Sequence, residues 1–222
     1  MKLLWLLIAG LLPLAAARAQ TIPVTGSTPA AFIPRGYKLL DEGRATGDLN
    51  GDGRPDVALA LGSVAEDNAQ GGDLPPRLLL VLWRTAAGGY SLACTARKAL
   101  LGKDEGGIYG DPFAGLSTTK GVLTVSHYGG SSWRWSITGK FRWQRGGFYL
   151  IGTTSTSMHN VEEPCPHLPG DHRPGDAYED VNLITGQYER VRVSDECKFL
   201  ENKRGRQPVR PLKALTSYSP AP

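Results

Sequence analysis

The chain predicts an all-β fold of mainly antiparallel sheets, a sandwich or a partial propeller, with a short N-terminal helix. Three observations carry this prediction. Short apolar or alternating runs recur between Gly-rich turns. One run, SSWRWSITGKFRWQ, places Trp133, Trp135, Ile137, Phe141 and Trp143 on one parity and Arg134, Ser136, Thr138, Arg142 and Gln144 on the other. Beyond the first 19 residues, helix is expected only over residues 33–42, where Pro34 suits an early helical position. No fixed-period repeat runs through the chain, which argues against a complete multi-blade propeller.

The elements follow in order. VALALG (57–62) is a compact apolar run, and SVAEDNAQGGDLPP after it reads as a long loop. RLLLVLWR (77–84) is apolar almost throughout, as expected of a central strand buried on both faces. AAGG turns the chain into YSLACTARKAL (90–100). LSTT and VLTVSHY flank Lys120-Gly121, a hairpin by turn chemistry. In the tryptophan strand, Gly139 sits in phase with the apolar set and marks a bulge or a close backbone approach. The aromatic parity is expected to be sheet core, with Arg134 and Arg142 on the exposed face. Arg145-Gly146-Gly147 turns into FYLIGTTSTSM, and two more strands lie around Thr185-Gly186, giving eight or nine in all.

Charge and cysteines bound the setting. MKLLWLLIAGLLPLAAARAQ has a lysine, an apolar stretch and a small-x-small site at Ala17-Arg18-Ala19, so residues 1–19 read as a secretory signal. The expected location is therefore periplasmic or extracellular after cleavage near Ala19, with no transmembrane segment in the mature chain. Residues 20–197 form one domain with 17 basic and 20 acidic residues, and residues 198–222 form a basic, Pro-containing tail. Export argues against a nucleic-acid partner, and a solvated terminus accounts for the tail. Of the three cysteines, Cys94 lies in an apolar stretch, and Cys165 with Cys197 is the expected disulfide.

The most informative stretch is GDLNGDGRPD (47–56). With Asp48 as position 1, Asn50, Asp52 and Asp56 fall at positions 3, 5 and 9, with Gly53 at 6 and Arg54 at 7. In a Ca²⁺ loop of this spacing, short side chains at 1, 3 and 5 turn inward, position 7 gives its carbonyl and position 9 a carboxylate. All donors are hard oxygens, which favours Ca²⁺ over softer-ligand metals. Position 12, a bidentate Glu in the helical version, is Leu59, so the loop enters a strand and lacks one ligand. Water, or Asp41, Glu42 or Asp67, would complete the shell, and affinity would fall in the roughly 10⁻⁴ to 10⁻³ M range of extracellular modules.

GDLNGDGRPDVALA resembles the calcium loop and following strand of an FG-GAP repeat, the VCBS-like unit of integrin-α-type propellers. The resemblance covers residues 45–62 and implies Ca²⁺ ligands at Asp48, Asn50, Asp52, Arg54 (carbonyl) and Asp56. Only one such loop is present, where propellers repeat it. More loosely, the order of RLLLVL, EGGIYGDPF, HYGGSSWRW, FRWQ, FYLIG and VNLITG resembles exported bacterial proteins with a single loop, a likeness that brings no activity with it.

Three functional classes follow. The first is a non-enzymatic, exported, calcium-stapled module that binds a protein or glycan or associates with the envelope. The second is a hydrolase using His127 with Glu105 or Asp111, although no catalytic spacing motif supports it and the parity of His127 with Leu123 and Val125 suggests a partly buried histidine with a hydrogen-bond partner. The third is a carbohydrate- or peptide-binding module using exposed aromatics. His159, Cys165, His167 and His172 also cluster in an insertion, without a recognised zinc spacing.

Overall fold

The structure is a computed structural model that describes residues 21–68 and 74–221; the secretory signal expected over residues 1–19 and the loop residues 69–73 lie outside the described residues. Two antiparallel sheets make up the fold. The smaller contains β1 (Thr25–Gly26), β2 (Tyr37–Gly47), β3 (Asp56–Ser63), β4 (Leu78–Arg84) and β5 (Tyr90–Ala96), in the order β1-β5-β4-β3-β2. The larger is a meander of β6 (Phe113–Thr119), β7 (Val122–Gly130), β8 (Trp133–Gln144), β9 (Gly147–His159), β10 (Ala177–Asn182), β11 (Gln187–Val193) and β12 (Phe199–Arg206). Among the described residues no helix is long and apolar enough to cross a membrane.

Both faces of β3 and β4 are covered, which explains their unbroken apolar sequences. Ala58, Ala60, Leu79 and Val81 face the larger sheet and pack in one core with Leu123, Val125, Phe141, Phe148 and Leu150. Val57, Leu59, Leu61, Leu78, Leu80 and Leu82 face the other way, under Phe32, Ile22 and Ile33. Phe32 is fully buried, worth about 1.5–3 kcal/mol. The sheets meet where β2 approaches β6, and Thr118 Oγ1 donates to the Thr46 carbonyl at 2.6 Å.

The helix expected over residues 33–42 does not form: residues 33–36 are bend and turn, and residues 37–42 are strand. A 3-10 turn occupies Pro29–Phe32, with Pro29 taking the early position proposed for Pro34, and residues from Tyr37 onward pair with β3. Hydrogen bonding to β3 and burial of Leu40 outweigh the local helical signal. Glu42, in the left-handed region at φ 51°, marks the bulge where the β2–β3 register shifts.

The tail also differs from expectation. Phe199–Arg206 is edge strand β12, paired along β11, while Leu215 and Tyr218 are buried in the shared core. The Tyr218 ring sits edge-on to Phe141 at 5.0 Å. The basic residues of β12 keep an open sheet edge solvated, a common protection against edge-to-edge pairing. Cys165 and Cys197 form a disulfide that ties the 160–176 insertion to the β11–β12 turn. Cys94 is a free thiol, and burial pushes it up to about 11, so it stays protonated and unreactive.

The tryptophan strand divides in two. Phe141 is fully buried and Ile137 nearly so, but Trp135 is half-buried and Trp133 is 45% exposed. Core residues contributed by the larger sheet come from β6 to β9 near Phe141 and Leu150, so the aromatic parity is core at one end of β8 and open at the other. Gly139 marks a close approach: a Cβ there would lie 2.9 Å from the Phe141 ring.

Candidate functional site

The aspartate loop joins β2 to β3. Gly51 and Gly53 both adopt φ near +80°, which turns the backbone back on itself around the side chains of Asp48, Asn50 and Asp52. Asp48 accepts from the backbone N–H groups of Gly51 at 2.7 Å, Asp52 at 3.1 Å and Gly53 at 2.9 Å. Asn50 Oδ1 accepts from Asp52 N–H, and Asp52 Oδ1 from Arg54 N–H at 2.9 Å. That Arg54 N–H bond is the largest influence holding the Asp52 carboxyl below its ordinary range.

Two features qualify this loop as a cation cage. Asp56 is fully buried, and its oxygens accept from Leu49 and Arg84 N–H, each at 2.9 Å. Burial pushes its carboxyl up despite those bonds. The Arg54 guanidinium pairs with Asp52 while its Nε donates to the Arg84 carbonyl, so the loop carries a cation of its own. Among the described residues no group of three or more His, Cys, Asp or Glu side chains is arranged to hold a metal. The donor types nevertheless fit a hard cation: Asp48 Oδ1 already accepts two N–H groups, but Asp48 Oδ2, Asn50 Oδ1 and Asp52 Oδ1 each accept one and keep a second lone pair. Asp67 is paired with Lys38 rather than with the loop.

The hydrolase candidates are neighbours, but each is engaged elsewhere. His127, 2% exposed, pairs in register with Ile137, and its Nε2 accepts from Leu101 N–H at 3.2 Å. Burial first, then the nearby Arg77 charge, lowers its pKa to about 4 against the pull of Asp111, so it is neutral at pH 7. Both Asp111 oxygens are held by Arg77, at 2.7 and 2.6 Å. Burial raises the Asp111 carboxyl, but the Arg77 and Phe113 N–H hydrogen bonds more than offset it and leave it low. Glu105 caps the Gly102 N–H. Arg77 also donates through Nε and Nη2 to Glu66 Oε2 at 3.0 and 2.8 Å, so it bridges the buried Glu66 carboxylate to the more exposed Asp111. This is a bridge locking β4 to the 102–112 loop, not a nucleophile-activating relay.

The open end of the tryptophan strand leads into a groove of about 580 Å³ on the larger sheet. Two cross-strand rows build it. Trp135, Ser157, Ala177, Arg192 and Glu201 are successive register partners across β8 to β12. Ile137, Ser155, Glu179, Arg190 and Lys203 form the adjacent row. Paired residues share a face, so this face is the continuation of the one that carries Phe141 into the core. Small side chains in the middle make the floor; an indole stands at one side and charged groups at the other. The ring of Trp135 is closely set against Gly129, where a Cβ would lie 2.6 Å from it, and Trp133 lies against Gly175 in the same way at 2.3 Å.

The groove and the aspartate loop lie at opposite ends of the strands. Asp48 lies beside Gly121 at the β6–β7 hairpin. Trp135 pairs with Gly129, seven residues beyond Val122 on β7, a separation of roughly 20 Å at about 3.3 Å per residue.

The 160–176 cluster does not assemble a zinc site, because Cys165 is in the disulfide. His159 packs edge-on to Trp133 and His172 to Phe199. Exposed aromatics do occur elsewhere: Tyr109 and Tyr128 meet edge-on, and Arg134 stacks 3.6 Å over Tyr109 instead of extending into solvent. Sequence reasoning missed the groove and the Glu66–Arg77 pair. The run TTSTS (153–157) held a signal for the first, since a strand with hydroxyls on both parities has run past its core. Arg77 at the head of RLLLVL held one for the second. No family model, curated protein or solved structure matches this chain.

Proposed function

We propose that this chain is an exported, non-enzymatic binding module whose working surface is the groove on the larger sheet and whose aspartate loop is a calcium staple. The groove carries the reading: a partly polar concavity on the larger sheet, walled by a held indole and by charged side chains and bordered by Ala221. Sites of this kind pair apolar surface with a few placed polar groups. The neutral, buried His127 and the Arg77-bound Asp111 support a binding role over hydrolysis.

At the loop, Asp48, Asn50, Asp52, Asp56 and the Arg54 carbonyl would hold the ion, as the FG-GAP resemblance implies. Bound Ca²⁺ would neutralise the clustered carboxylates and pin the β2–β3 connection. Ca²⁺ at 100 times its Kd adds about 2.7 kcal/mol of stability. Thermal melts with Ca²⁺ and with chelator test this part. The expected result is a higher midpoint with Ca²⁺, absent in Asp52→Ala; equal midpoints with no heat of Ca²⁺ binding refute the staple.

The groove is tested separately, by probing glycan and peptide arrays with the wild type and with Ser157→Trp, which fills the floor. The expected result is array binding that the filled variant loses. Equal binding by both proteins places the working surface elsewhere.

A further inference from the structure

The two sides of the groove differ, and the difference points to a class of ligand. This inference rests on the groove being the binding surface. At one side stands Trp135, its ring held against Gly129. Across the small floor of Ser155, Ser157 and Ala177 stand two cations, Arg190 and Arg192, with two carboxylates, Glu179 and Glu201, and Ala221 of the C-terminal segment borders the groove. Arg190 pairs with Glu179, and Lys203 with Glu201 at 2.8 Å. Among the described residues Arg192 has no ion-pair partner within 4.0 Å, although it is the register partner of Glu201. Because Lys203, outside the lining, takes Glu201, Arg192 presents an exposed guanidinium without an ion partner, three strands from the indole.

We propose that the groove binds a carboxylated oligosaccharide, with a sugar ring against Trp135 and a uronate carboxylate on Arg192. The apolar face of a pyranose ring packs flat on an indole. Arg presents a planar fork of donors that matches a carboxylate. Hydroxyls of Ser155 and Ser157 between them give and accept hydrogen bonds with sugar hydroxyls. An extended peptide fits less well. Peptides that lie along sheets gain their affinity from free backbone edges, whereas β8 to β11 are paired on both sides throughout the groove.

The test uses the full mature chain with three probes: tri-galacturonic acid, the neutral trisaccharide of galactose, and tri-glutamate. Binding is read by tryptophan fluorescence and by calorimetry. The uronate should bind with a fluorescence change and at least about tenfold more tightly than the neutral sugar, the scale of one charge-assisted hydrogen-bonding group. Arg192→Gln should erase that preference, and Trp135→Ala should remove the fluorescence change and weaken both sugars. Arg192→Lys, which keeps charge but not the fork, should recover only part of the preference.

Equal binding of both sugars, or an unchanged preference in Arg192→Gln, overturns the carboxylate assignment while leaving the groove as a binding surface. Tri-glutamate binding as tightly as the uronate overturns the sugar assignment. If none of the probes binds, the inference fails, and the Ser157→Trp comparison on arrays decides independently whether the groove itself survives.

Discussion

Acidification to pH 5 should destabilise this protein through one buried imidazole. In the folded chain His127 resists protonation down to about pH 4, because it is buried and lies near Arg77. In the unfolded chain it takes a proton near pH 6.5. Between those values the unfolded state binds more protons, so stability rises with pH and falls as pH is lowered. Linkage over that 2.5-unit gap gives about 2 kcal/mol lost between pH 7 and pH 5, and about 3 kcal/mol in total by pH 4. The assay is urea unfolding at pH 7, 6 and 5 for the wild type and His127→Gln. Glutamine keeps an acceptor for the Leu101 N–H but does not titrate. The difference between the two proteins should shrink by about 2 kcal/mol from pH 7 to pH 5 as the wild type weakens. A pH-independent difference would refute the burial argument and reopen His127 as an accessible acid–base group.

Three other consequences concern the frame. Arg77→Met should cost about 3–5 kcal/mol in urea unfolding, because it strands the buried Glu66 carboxylate; adding Glu66→Gln should restore most of that. Asp111→Asn should cost only about 1 kcal/mol, since the Asp111 side chain is 41% exposed; a loss as large as that of Arg77→Met would contradict the assignment of Glu66 as the dependent partner. Replacing Cys165 and Cys197 with serine should cost about 3.7 kcal/mol, the loop-closure value for their separation of 32 residues. Unchanged unfolding free energy under reducing conditions would show that the insertion is held by other contacts.

The sequence by itself determined the local β structure. Turn chemistry located the Lys120-Gly121 and Arg145-Gly146 hairpins, where both residues take positive φ. The apolar runs at 57–62 and 77–84 lie in strands covered on both faces. Such features depend on a few neighbouring residues, and the chain writes them directly. The tertiary structure decided which face of each strand is covered, and over what length. Trp135 and Phe141 have the same parity, yet Phe141 meets Leu123 under the smaller sheet while Trp135 opens onto the groove. Tyr37 and its neighbours became strand because β3 offered a partner, and a basic tail became an edge strand because β11 did. Periodicity records that a strand has two faces; whether a second layer lies over one of them depends on elements distant in the chain, and no local pattern encodes their reach.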